Sequence, residues 1–130
     1  MIAIESERRE KMNGNITEKI EKAVLNYVDH IKATYADWNG KYHSDDVADY
    51  RKKIIKDWNA KLGYKVGSKY IAIWTGTSIH SFIVNTTNDK KFAYGDILKP
   101  ATWKAPARNF ERGNVFTDGS WRGIAWFGGL

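Results

Sequence analysis

The sequence predicts an α+β domain: an N-terminal helical hairpin followed by an antiparallel β-sheet of about five strands. Two long runs before Gly63 repeat their apolar residues at helical spacing. From Tyr64 onward the period drops to two. Both prolines of the chain, Pro100 and Pro106, fall late, in a stretch that suits no regular element. The expected layout is one domain over 1–130, with a leader at 1–14, the hairpin at 15–62 and a β-rich core at 64–130 that carries the binding chemistry.

The leader mixes charges without period and ends at Asn13–Gly14. The first helix is expected from Asn15, with Asn15 as cap and Glu18 as its reciprocal partner. Ile20, Val24, Tyr27, Val28, Ile31, Tyr35 and Trp38 form its stripe, and Asn39–Gly40 should stop it. A second helix is expected from a Ser44 cap, with Asp45 and Asp46 at the positive end of its dipole. Its stripe is Val47, Tyr50, Ile54, Trp58 and Leu62, and Gly63 should end it. Two aromatic stripes need a surface to cover them, either the domain's own sheet or a second copy, which leads to the expectation of a homodimer or higher homo-oligomer.

Lys69–Thr75 and Ile79–Val84 read as strands joined by a tight turn at Gly76–Thr77–Ser78. Lys91–Tyr94 reads as a short strand, and Gly95–Asp96 turns into Ile97–Leu98. Gly113–Phe116 reads as extended, and a turn at Thr117–Ser120 leads to a last strand over Trp121–Phe127.

The chain has no cysteine, so disulfides and thiolate metal sites are excluded and a reducing compartment is expected. No run has the length of a membrane span, and the first fifteen residues are too charged for a secretory signal. The net charge of +6 is uneven: thirteen basic against eleven acidic groups in residues 1–66, eight against four in 67–130. That balance favours an anionic partner, polymeric or small.

Metal-binding spacings are missing, since His30, His43 and His80 lie far apart in sequence, and neither a metal nor a cofactor is expected. Ser78, His80 and Ser81 sit together at a hairpin, with Asp96 as a possible orienting group. Strict alternation would put Ser78, His80 and Phe82 on one face and Ser81 on the other, leaving Ser78 and His80 to cooperate. A hydrogen-bonded strand histidine is the more ordinary reading, and catalytic residues are not assigned.

The stretch Ile97–Phe116 carries the anion-binding chemistry. It holds Lys99, Lys104, Arg108 and Arg112 against Glu111 alone, with Trp103, Phe110 and Phe116 interleaved. If Arg108–Arg112 forms a helical turn, its four-residue spacing puts both guanidiniums on one side, suited to a pyrophosphate or cyclic phosphate ester. Trp103 and Phe82 would supply stacking surface. The bland alternative is a solvated face with an Arg–Glu111 contact and both rings in the core.

Trp74–Val84, Gly95–Asn109 and Arg112–Phe116, in particular WKAPARN and RGN, resemble the Thoeris anti-defence proteins of the first type, a family of small phage proteins. The resemblance covers Trp74–Phe116, about a third of the chain. It implies N-terminal helices, a β-rich core, oligomers, and sequestration of cyclic ADP-ribose isomers without cleavage in the cytoplasm of a bacterial host. It implies that Phe82, Arg108 and Arg112 lie at the pocket, with Trp103, Lys104 and Asn109 as neighbours and Ser78 and His80 as lesser contributors. The alternatives are a single-stranded nucleic-acid binder, ranked lower because one loop is a small footprint for a polymer, and a phosphodiesterase-like hydrolase using His80.

Overall fold

The computed structural model describes residues 17–42, 48–117 and 119–127. In them the chain runs α1 (Glu18–Tyr42), α2 (Ala48–Lys61), β1 (Leu62–Val66), β2 (Tyr70–Thr75), β3 (Ser78–Val84), β4 (Asp96–Leu98) and β5 (Gly113–Asn114). The strands form one antiparallel sheet in the order β1-β2-β3-β4-β5. Two helices followed by a five-stranded antiparallel sheet make this an α+β fold, as the change of period predicts.

α1 begins at Glu18, with its cap two residues beyond the expected Asn15. Thr17 is the cap: its Oγ1 accepts from the Ile20 N–H at 3.3 Å. Asn15 and the expected Ser44 cap lie outside the described residues. α1 also continues through Asn39–Gly40 to Tyr42. One glycine costs a helix interior about 1 kcal/mol relative to alanine, which twenty-five residues docked on a core absorb.

The helical stripe is the core. Ile20, Val24, Tyr27, Val28 and Ile31 are buried against Ile71, Ile73, Ile83 and Ile97 on one face of the sheet. Tyr35 stacks on Trp58 at 4.4 Å and meets Trp126 edge-on at 5.1 Å, tying α2 to α1 through rings. Trp38, at the end of the stripe, stays 39% exposed.

Gly63 does not end the second helix. α2 stops at Lys61, and β1 starts at the next residue with Leu62 and Gly63 inside it, a strand the sequence reading did not place. Leu62 serves both patterns: it completes the helical stripe and equally starts a strand opposite Thr75. The β2–β3 turn is two residues, Gly76–Thr77, with Thr75 paired to Ser78. Gly76 has φ 73°, which a II′ turn demands at its first loop position. Lys91–Tyr94 and Trp121–Phe127 are not strands among the elements observed. The latter is a run of turns that lies over α1.

A bulge in β3 corrects the expected alternation. The register passes from Ile73↔Ser81 to Trp74↔Ile79, so His80 is the extra residue. Ser81 and His80 therefore both turn towards α1, while Phe82 and Ile79 lie on the outer face in a second cluster with Val84, Phe92 and Leu98.

Candidate functional site

Among the described residues no helix lies over the outer face of the sheet. Alternation along β2 sends Ile71 and Ile73 inward and leaves Tyr70, Ala72 and Trp74 facing out. What borders this face is the proline-containing stretch. After β4 the chain makes a short antiparallel arm, with Pro100 bridged to Pro106 and the Ala107 N–H donating to Lys99 O at 2.7 Å. A tight turn closes it, with the N–H groups of Ala101 and Thr102 both donating to Ala105 O. The prolines cannot donate to a ladder, so the arm's backbone bonds come from the residues around them.

Trp103 and Lys104 stand at the tip of the arm. They border a cleft of about 370 Å³ whose floor and walls are Tyr70, Ala72, Trp74 and Phe82, with Lys65 and Lys69 from the ends of the β1–β2 turn. No carboxylate is among its described lining residues. Trp103 is 66% exposed, Lys104 Nζ lies 4.8 Å from its ring centroid, and Phe82 is the buried floor. The volume is within the usual range for small-molecule sites.

A second cleft of about 400 Å³ adjoins the first and shares Lys69 and Tyr70 with it. Its further lining residues are Thr86, Asn88, Asp89, Lys90 and Arg108. Arg108 holds Asp89 through a fork: Nη2 donates to Oδ1 at 2.8 Å and Nη1 to Oδ2 at 3.0 Å. Nη1 also donates to the Tyr70 hydroxyl at 2.6 Å, and the guanidinium lies 4.9 Å from the Phe92 ring centroid. The Arg108 hydrogen bonds, then those from the Phe92 and Lys91 amides, hold the Asp89 carboxyl well below its usual range.

The structure thus brings together three of the expected residues, Phe82, Trp103 and Lys104, and sets Arg108 next door. The remaining four go elsewhere. Arg108–Arg112 is not a helical turn: the Arg112 N–H donates to Ile97 O, which draws the backbone out beside β4. The two guanidiniums take different partners, and that of Arg112 lies 3.9 Å from the Phe110 ring centroid with Nε buried and unpaired. Arg108 pairs with Asp89 rather than Glu111. Asn109 is exposed and accepts from the Phe110 N–H through Oδ1.

Ser78 is exposed at the start of β3 and is not the partner of His80. His80 Nε2 donates to Ala125 O at 2.7 Å, and its Nδ1 lies 3.0 Å from Ser81 Oγ. Ser81 is fully buried under Tyr27, whose hydroxyl lies 3.0 Å from the same Oγ. Burial, partly offset by the Ala125 bond, pushes the imidazole below its ordinary 6.5 and keeps it neutral. Asp96 does not orient this ring. It is buried and accepts from the Asn114 amide and the Ala93 N–H. Among the described residues no group of three or more histidines and carboxylates could hold a metal, and no helix is long and apolar enough to cross a membrane.

Sequence reasoning missed Lys65, Lys69, Tyr70, Trp74 and Lys90. The signal for two of them was present: KYIAIWT alternates, and placing Tyr70 and Trp74 on one face with only Ala72 between them marks an aromatic groove.

Fold and site together define an α+β domain with an aromatic, lysine-rimmed groove on the outer face of its sheet. Residues 5–128 match a family described as of unknown function (DUF7717), and the chain belongs to that family. Curated proteins and solved structures contain no match to it.

Proposed function

We propose that the protein binds a nucleotide in the cleft between β2, β3 and the tip of the proline arm. The base stacks on Trp103 and Trp74, and the phosphates meet Lys65, Lys69 and Lys104. The observation that carries this reading is the cleft's lining: four aromatic side chains and three lysines with no carboxylate among the described lining residues. Aromatic faces give stacking of about 1–3 kcal/mol per base, and cations at the rim draw in a phosphate. Taken with the resemblance of Trp74–Phe116 to the Thoeris anti-defence proteins, the ligand proposed is a cyclic ADP-ribose-type signal, held uncleaved so that the TIR-dependent effector is starved of it. Such sequestration works by mass action and requires protein in excess of signal.

A second reading has its own support. The two clefts share Lys69 and Tyr70, so the cations Lys65, Lys69, Lys90 and Lys104 line two adjoining sites. That favours a single-stranded nucleic acid. Calorimetric titration with a cyclic ADP-ribose isomer, then chromatography of the ligand released by heating, tests the first reading. Saturable one-to-one binding with intact ligand supports it, and altered ligand refutes sequestration. Affinity that climbs with oligonucleotide length and falls steeply with salt selects the second.

A further inference from the structure

Asp89 is the one acid among the described residues lining the two clefts, and it occupies the guanidinium fork of Arg108. We propose that Asp89 is an internal competitor for phosphate. In the free protein it fills the Arg108 fork; a phosphate group in the second cleft takes that fork over. Asp89 therefore sets which anions the site accepts and how tightly. The inference rests on the nucleotide reading and assigns the second cleft to part of the ligand's pyrophosphate.

Three features make the exchange feasible. First, neither partner is stranded by it. Asp89 Oδ1 keeps the N–H groups of Lys91 at 2.8 Å and Phe92 at 2.9 Å, and Arg108 keeps the Phe92 ring and the Tyr70 hydroxyl. Second, the Arg108 side chain is 41% exposed, so a ligand reaches it without opening the core. Third, Lys69 and Lys90 line the same cleft. A pyrophosphate, with its two charges, gains all three cations at once, where the carboxylate holds a single fork and carries a single charge. A neutral ligand gains nothing from the exchange, so the contact discriminates by charge. Tyr70, which belongs to both clefts and bonds Arg108, joins the fork to the groove.

The test uses the full chain with adenosine and adenosine diphosphate as probes. Asp89→Asn keeps an Oδ1 acceptor for the two amides and removes the charge. The expected result is about tenfold tighter binding of the diphosphate, the scale of removing one nearby charge, with adenosine unchanged. Adding Arg108→Gln should abolish the gain. Equal or weaker diphosphate binding by Asp89→Asn, beside measurable binding by the unaltered protein, overturns the inference and leaves the nucleotide reading standing. Failure of both proteins to bind either probe overturns both. The unaltered protein gives an independent readout in side-chain NMR. Saturation with the diphosphate should shift the Arg108 Nε–H resonance while adenosine leaves it in place, and a resonance unmoved by the diphosphate overturns the inference without any substitution.

Discussion

His80 Nδ1 lies 3.0 Å from Ser81 Oγ although the two residues are adjacent in a β-strand, where side chains ordinarily point to opposite faces. The bulge in β3 makes the contact, by setting both residues against Ile73. The rest of the network follows from it. With Nε2 donating to Ala125 O, the neutral ring accepts at Nδ1 from Ser81, and Ser81 accepts from the Tyr27 hydroxyl. His30 Nε2 donates to Ile124 O at 2.8 Å and the Trp126 N–H donates to Thr34 Oγ1 at 2.9 Å, so three consecutive residues of the last segment are fastened to β3 and α1.

The first prediction concerns pH. The folded pKa of His80 lies below its unfolded value of 6.5, so the unfolded chain takes up the proton first as pH falls. The contribution to stability is complete above about pH 7 and declines as pH drops from there towards the folded pKa. A charged ring must also donate at Nδ1, which reverses the Ser81 and Tyr27 hydroxyls. Thermal unfolding from pH 8 to 5 should show this decline, and His80→Asn should flatten it. An unchanged slope in the variant would remove His80 as its source.

The second prediction separates the members of the network. Ser81→Ala orphans the Tyr27 hydroxyl and His80 Nδ1 in a buried site and should cost about 1–3 kcal/mol. Tyr27→Phe in the same background removes one orphan. The double variant should therefore be more stable than the two single losses added together, and chemical denaturation reads the difference. Strict additivity would mean the hydroxyls act independently.

The fold was largely legible because its signals are periodic. The α1 stripe, the β2 and β3 runs and the Gly76 turn each repeat over enough residues to outweigh local noise. β1 was hidden because Leu62 and Gly63 read as a stripe residue and a helix stop until a partner strand pairs with them. The site was legible only in part. Trp103, Lys104 and Phe82 line one cleft, but Arg108 and Arg112 part company, because a four-residue spacing is informative only inside a helix. The fork between Asp89 and Arg108, nineteen residues apart, depends on how two loops meet, and the one-residue bulge at His80 leaves no pattern in the sequence.

The third prediction tests a close approach. Gly95 has φ 90°, and a Cβ there would lie 2.6 Å from Phe116 Cδ2. Gly95→Ala adds left-handed strain of about 1–2 kcal/mol to displacement of a ring packed against Tyr94. A loss of about 2 kcal/mol or more is expected in the denaturant midpoint. Gly63→Ala meets nothing within 4 Å and serves as the mild comparison.

The last prediction isolates the groove from the core beneath it. Trp103 is 66% exposed, so Trp103→Ala should change stability by no more than about 0.5 kcal/mol, as surface substitutions do. If a base stacks on it, the same change should weaken nucleotide binding by about 1–3 kcal/mol, roughly five- to 150-fold. Phe82→Ala cannot make this distinction. Its ring is 4% exposed, packs edge-on with Tyr70 at 5.9 Å and belongs to the outer cluster, so its loss should cost about 3–5 kcal/mol of stability. Any affinity lost in Phe82→Ala would follow from a collapsed floor. Isothermal titration of Trp103→Ala, with its melting curve alongside, therefore decides whether the arm's tip is a ligand contact. An unchanged melting temperature with weakened binding places the nucleotide under Trp103. Unchanged affinity would move the base away from the arm and onto Trp74 alone.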